Sequence, residues 1–350
     1  MVKKKQNNYK RAIIAFYNVE NLFDPIQSID YNGSIHLSIP LNSKLTNITY
    51  KKNFKILKPL IFNNDFTING MKKWNVKKYK IKLRNISKVI SQINYYNNPP
   101  VIVGLAEIEN KIVLLDLINQ PCLRKYNYGI IHHNSYDHRG IDCGIIYNKQ
   151  RFIPYNIKYY DIIIYGKNNN RIYTRDILLV EGKLDGEYIY LIVNHWPSPI
   201  SNNSYIKRNK ASKVLISIIN EIQNKNKNAK IIIMGDFNDN PNNNSIKSIL
   251  YKYNNIIYNP MINICSKKKG TYMFKNKWNC LDQIMLSYNL YYNIDPFQYH
   301  MDKVEIFKKP YLTIGNKELP FRTFKGNKYI GGYSDHLPVY IILKKLIKKN

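Results

Sequence analysis

KIIIMGDFND, residues 230–239, carries four apolar residues, Ile231–Met234, straight into a glycine and then three polar side chains, Asp236, Asn238 and Asp239. So short an apolar run, bounded by turn-forming residues, reads as a strand buried on both faces that delivers a carboxylate at its end. Similar runs recur along the chain at Ala12–Phe16, Val101–Leu105, Gly144–Tyr147, Ile177–Val180, Tyr188–Val193, Ile284–Leu286 and Val339–Leu343. Between them lie helix-length amphipathic stretches. Val76–Tyr95 places Tyr79, Leu83, Ile86, Val89, Ile90 and Ile93 on one face, and Tyr205–Ile222 does so with Ala211, Val214, Leu215, Ile218 and Ile219. Buried strands interleaved with such helices predict sheets covered by helices on their outer faces.

The polar ends of these strands form the chemical pattern. FYN ends at Asn18, GLAE at Glu107, VNH at Asn194 and His195, and MGDFN at Asp236 and Asn238; two later strands instead begin with Asp282 and with Asp335–His336. If the later strands run antiparallel to the earlier ones, six segments deliver their polar groups to one edge. Singly, each residue has an ordinary reading as a turn former; together they read as a site. His195 admits a further step. Asp185-Gly186 between two apolar runs is a two-residue hairpin signal. That register sets Asp176 opposite His195, giving the imidazole a carboxylate partner.

The chain has 350 residues, with 54 Lys and Arg against 23 Asp and Glu, a formal charge of +31. That field attracts polyanions, but 45 of the 54 cations are lysine and only 9 arginine. Lysine abundance beside so much Asn, Ile and Tyr is what A/T-rich codons produce, whereas recognition of phosphate by geometry favours the arginine fork. An ordinary apolar fraction, 44%, excludes disordered, collagenous and disulfide-miniprotein classes. Four dispersed cysteines, Cys122, Cys143, Cys265 and Cys280, with no CxxC pair, are expected to be reduced, packed thiols. His132, His133 and His138 read as an exposed loop cluster. The basic opening is followed by an apolar core of only Ala12–Phe16 and by no small-residue cleavage site, so a soluble, cytoplasmic chain is expected; a monomer with no membrane or protein partner is expected as well. Residues 1–350 are read as one domain, with the Asn-rich 26–75 as an irregular surface insertion whose end Phe66, Gly70 and Trp74 pin down.

In order, FYNVENLFD (16–24), GLAEIEN (104–110), RGIDCGIIY (139–147), TRDILLV (174–180), VNHWPS (193–198), MGDFND (234–239), CLDQIMLS (280–287) and YSDHLPV (333–339) resemble the motifs of the endonuclease/exonuclease/phosphatase superfamily, the deoxyribonuclease I-like fold. The NVENLFD opening resembles a bacterial branch of it. The resemblance implies a four-layer α/β/β/α sandwich of two mixed sheets with the helices outside. It implies Mg²⁺-dependent (or Mn²⁺-dependent) hydrolysis of a phosphodiester, with nucleic acid as the substrate. Glu107 and Asp335, with Asn18 close by, would hold the metal. Asp236 would accept the proton of the attacking water, and Asn238 would donate to the phosphorus centre. Asp282–His336 and Asp176–His195 would be dyads, and Asn194, Arg175 and Arg208 would contact substrate; Arg139 and Asp142 would shape the rim. Two alternatives stay open: a phosphatase or phosphodiesterase acting on a small or lipid phosphate, and a non-catalytic nucleic-acid-binding relative.

Overall fold

The computed structural model describes residues 8–25, 28–29, 35–36, 64–93, 99–166, 169–199, 204–266 and 269–348. All eight apolar runs lie in strands, apart from Val101 just ahead of its strand, and these assemble into two six-stranded sheets. Across the first the order is His300–Ile306, Val339–Leu346, Tyr9–Leu22, Ile102–Ile108, Asp142–Asn148, Tyr128–His132; across the second it is Ile257–Tyr258, Asp282–Ser287, Ile231–Asp236, Glu187–His195, Ile177–Leu184, Phe152–Tyr160. Each sheet contains one parallel pair, Tyr9–Leu22 with Ile102–Ile108 and Glu187–His195 with Ile231–Asp236, and the other pairings are antiparallel.

The reason the strands are continuously apolar is visible in where alternate side chains go. In Tyr9–Leu22, Ile13, Ala15 and Tyr17 join a core that includes the buried faces of helices Val76–Gln92 and Lys111–Ile118. Ala12, Ile14 and Phe16 join a second core shared with the other sheet. In Ile231–Asp236, Ile232 and Met234 enter that shared core, while Ile231 and Ile233 face a third one containing helices Ser204–Lys225 and Asn244–Lys252. Three apolar layers between four structural layers is the α/β/β/α sandwich, and a strand with a core on both faces has no position for a polar residue until it ends.

The Asp185-Gly186 turn forms as predicted, with φ of 47° and 91°, and the hairpin keeps one register from Leu184↔Glu187 to Leu178↔Val193. The described end of the 26–75 segment is anchored: Trp74 is fully buried, its indole donates to the Phe23 carbonyl at 3.0 Å, and Phe66 sits against both rings. The rest, apart from backbone pairing of Ser28–Ile29 with Ile35–His36, lies outside the described residues. The cysteine expectation is corrected. Cys265 and Cys280 form a disulfide, because the hairpin Tyr272–Phe274 with Lys277–Asn279 folds the intervening chain back on itself; Cys122 and Cys143 are free.

Candidate active site

The two sheets bring their polar strand ends to one edge. Asp236 lies level with His195 on its parallel neighbour and with Asp282 on its antiparallel one. Gly235 makes the first of these approaches possible, since a Cβ there would collide with the Asn194 carbonyl. From the first sheet, Phe16 pairs with Val339, so the segment Ser334–His336 enters beside the Asn18 end of its neighbour. The Ser334 hydroxyl fixes that junction by donating to the Asn18 carbonyl at 2.7 Å.

A cleft of about 560 Å³ opens over this edge, lined by Glu107, His195, Asp236, Asn238, Asp335 and His336 among others. Asp282 and Asn18 stand behind it. Asp282 Oδ2 lies 2.7 Å from His336 Nδ1, so the expected dyad forms. Asn18 donates its amide to Asp236 Oδ2 at 3.0 Å, and its side-chain oxygen accepts from the Glu20 backbone at 3.0 Å. Its amide therefore serves Asp236. Asn238 has left-handed backbone, φ 51°; its N–H donates to Asp236 Oδ1 at 2.9 Å, and its side-chain amide donates to the Trp196 carbonyl at 2.8 Å. Glu107, with φ 66°, is the extra residue of a bulge against Asp142–Asn148 and lies opposite the register slip between Asn18 and Leu22 of its other neighbour. That turn aims its carboxylate at the cleft, where His195 Nε2 is 3.8 Å away.

Burial pushes the Asp236 carboxyl up to about 6, and Asp282 adds to the effect, against the opposing influence of His336, the Asn238 N–H and Asn18. The two histidines diverge. His195 is held well below the ordinary imidazole value by burial, then by Arg175, Arg139 and His336. Burial also opposes the charged form of His336, but Asp282, Asp236 and Asp335 outweigh it and raise the imidazole well above its usual value. At neutral pH the cleft thus has one neutral and one cationic imidazole.

Three sequence expectations are corrected. Asp176 does not pair with His195: it lies 3.5 Å from His133, while His195 Nδ1 is buried without a hydrogen-bond partner and its Nε2 is 3.7 Å from Asp236. No bulge shifts the hairpin; its pairing simply ends at Leu178↔Val193, and the segment before Ile177 leaves the sheet. Arg175 is buried, spending its guanidinium on Asp137 and the Trp196 carbonyl. Asn194 is fully buried between the Met234 carbonyl and the Trp196 indole. Neither lines the cleft. Arg208 does, paired with Asp239 at 2.7 Å. The histidine loop is mixed: His138 is exposed, while the His132 side chain is buried 3.2 Å from Asp142.

The cleft also contains residues that no local pattern singled out: Tyr272, whose ring lies 4.8 Å from that of His336, Asn21 and Arg322. Glu107 and Asp335 each face a guanidinium, Arg139 at 3.3 Å and Arg322 at 3.0 Å. A larger groove of about 910 Å³, lined by Trp278, Phe307 and Lys309, borders the same hairpin but none of the candidate residues.

Carboxyl-rich strand ends, two histidines shifted in opposite directions and a shared cleft on a double-sheet sandwich define a phosphate-ester hydrolase type of site. A model of the Endonuclease/Exonuclease/phosphatase family matches residues 54–345, and the chain belongs to that family. Solved structures of the same fold include a family member from Bacteroides thetaiotaomicron, 15% identical with TM-score 0.55 and 98% of each chain covered. A humanized D. rerio TDP2 is 14% identical, TM-score 0.53, covering 95% of this chain and 98% of its own. A mannosyl-6-phosphatase of Bacteroides thetaiotaomicron is 14% identical, TM-score 0.53, covering 95% and 99%. No curated protein matches the sequence.

Proposed function

We propose that the chain is a divalent-metal-dependent phosphodiesterase acting on nucleic acid as a monomer, with Mg²⁺, or Mn²⁺ in its place, as the ion. The observation that carries this reading is the meeting of Asp236 and His336, each buried among its own orienting partners, with Glu107 and Asp335 in one cleft. Oxygen-only donors suit a hard cation. Asp236, Asp282 and His336 also lie within 4.8 Å of one another. Asp236 and Asp282 are the more deeply buried, with 2% and 1% of their side-chain surface exposed against 11% for Glu107 and 18% for Asp335, which favours Glu107 and Asp335 as ligands open to a hydrated ion. When bound, the ion would neutralise charge on the phosphoryl oxygens and the leaving oxygen.

The protein's own part follows from its protonation states. Asp236, ionised above about pH 6, accepts the proton of the attacking water. Cationic His336, held by Asp282, donates from Nε2 to a phosphoryl oxygen. Asn238 spends one of its two amide hydrogens on Trp196, leaving the other for the developing charge. Neutral His195 lies between Glu107 and Asp236 without adding positive charge.

The fold leaves the size of the substrate open, since it also serves a mannosyl-6-phosphatase. The decisive experiment offers plasmid DNA, single-stranded RNA and a bis-aryl phosphodiester, with Mg²⁺ and with chelator. Mg²⁺-dependent cleavage of nucleic acid is expected; cleavage of the small ester alone would reassign the chain to a small or lipid phosphate, and no hydrolysis at all would leave the non-catalytic reading. Among the described residues no helix is long and apolar enough to cross a membrane. The Cys265–Cys280 disulfide is chemistry of an oxidising compartment and weighs against cytoplasmic placement.

A further inference from the structure

The motif NVEN (18–21) enters the proposed chemistry only through Asn18. Its other polar residues, Glu20 and Asn21, occupy two successive left-handed positions, φ 51° and 58°, where the strand slips register between Asn18 and Leu22. Two consecutive non-glycine residues in this region are held against their intrinsic preference. Their side chains each hold one arginine. Glu20 Oε1 accepts from Arg322 Nε at 3.3 Å, and Asn21 Oδ1 accepts from Arg139 Nη2 at 3.0 Å. The Glu20 carboxylate is itself fixed from below by the Thr323 N–H at 2.6 Å, with buried Lys82 3.9 Å away. The Asn21 N–H donates to Glu107 Oε2 at 2.8 Å.

Both arginines line the cleft and keep 30% and 42% of their side-chain surface exposed. Arg322 makes two hydrogen bonds, to Glu20 and Asp335, from a group with five N–H donors. Composition sharpens the point. Lysine outnumbers arginine 45 to 9 in the chain. Yet the described lining of this cleft holds three arginines, Arg139, Arg208 and Arg322, and no lysine. A cleft so depleted in the chain's commonest cation was not populated by compositional drift; it needs the planar fork.

We infer that the Glu20–Asn21 bulge is an arginine holder, and that Arg322 and Arg139 form a two-armed clamp on the phosphoryl oxygens of a phosphate ester. The inference rests on the phosphoester reading of the cleft and names two substrate-contacting residues and their positioning residues within it. Because each guanidinium also bonds Glu107 or Asp335, the clamp and a divalent ion draw on the same carboxylates, so removing an arginine has opposite effects on the two ligands.

The test measures inorganic phosphate binding by calorimetry, Mn²⁺ binding by electron paramagnetic resonance, and KM for a bis-aryl phosphodiester, in Arg139→Ala, Arg322→Ala, the two Arg→Lys variants and Glu20→Gln. Each alanine variant should weaken phosphate binding and raise KM by roughly tenfold or more, the worth of a charged hydrogen bond. Mn²⁺ affinity should hold or increase. Lysine should fail to restore KM, and Glu20→Gln should reproduce Arg322→Ala without adding to it in the double variant. Both arginines are partly exposed, so their variants remain informative if Glu20→Gln fails to fold. Phosphate affinity and KM within about twofold of wild type in both alanine variants, or full rescue by lysine, would overturn the clamp. Hydrolysis by the wild type with silent arginines sinks the clamp alone. Arginine-dependent phosphate binding in a chain that hydrolyses no ester sinks only the phosphoester reading.

Discussion

The cleft has two walls that differ in how far they lie from water. One wall, Asp236, Asp282 and His195 from the second sheet met by His336 from the first, is almost wholly out of water, and burial opposes the charged forms of Asp236, His195 and His336. The rim, Glu107 and Asp335 with Arg139 and Arg322, keeps both guanidiniums partly exposed, and pairing with the carboxylates outweighs burial for each arginine. A buried wall fixes protonation states in advance, whereas a wetted rim can exchange one charged partner for another at little cost. On the proposed assignment, proton transfer belongs to the first wall and substrate capture to the second.

The sharpest way to break this division is Asp236→Asn, which should lower kcat by about 10²- to 10⁴-fold, the usual range for a positioned base, with unchanged circular dichroism. Full activity would remove Asp236 from the mechanism. The same variant tests the burial argument through stability, measured by urea titration with chelator present. A carboxyl raised in the folded state to about 6 from about 3.9 unfolded contributes stability that is complete below pH 4 and declines as pH rises through 6. Asp236→Asn should therefore gain on wild type between pH 4 and 7, by up to about 3 kcal/mol, with no gain below pH 4. Asp282→Asn should cost roughly 10²-fold in kcat and bring the His336 imidazole, followed by NMR, back towards its ordinary range, since Asp282 is the first of the groups that raise it. The smallest effect concerns the hairpin seam. Thr271 accepts from the Leu281 and Asp282 N–H groups, both at 3.1 Å. Thr271→Val should lose about 1–3 kcal/mol in the same titration, the cost of buried donors left unpaired.

The sheets were legible because a strand with cores on both faces cannot hide its composition: Ile231–Met234 and Ala12–Phe16 announce themselves. Glu107, His195, Asp236, Asn238, Asp335 and His336 were legible because they sit where such runs stop or start, and all six line the cleft. Asp176 failed for a definite reason. Turn arithmetic fixes register only while pairing lasts, and here pairing ends two rungs before it matters. Asn194 and Arg175, expected to contact substrate, face inward instead. Arg322 and Tyr272 lie in segments with no periodic pattern, placed by contacts such as Arg322 with Glu20, 302 positions apart. No local signal reports such an approach. The disulfide escaped for the same reason, since its cysteines meet only after the hairpin between them has folded.

The central strand Tyr9–Leu22 has a consequence for the making of the chain. One of its two neighbours is Val339–Leu346, with Tyr9 beside Leu346. At synthesis rates of about 5–20 residues per second, one side of its apolar run Ala12–Phe16 stays unmatched for roughly 15 seconds to a minute after leaving the ribosome. Its sticky edge is a problem of timing that the finished sandwich no longer displays.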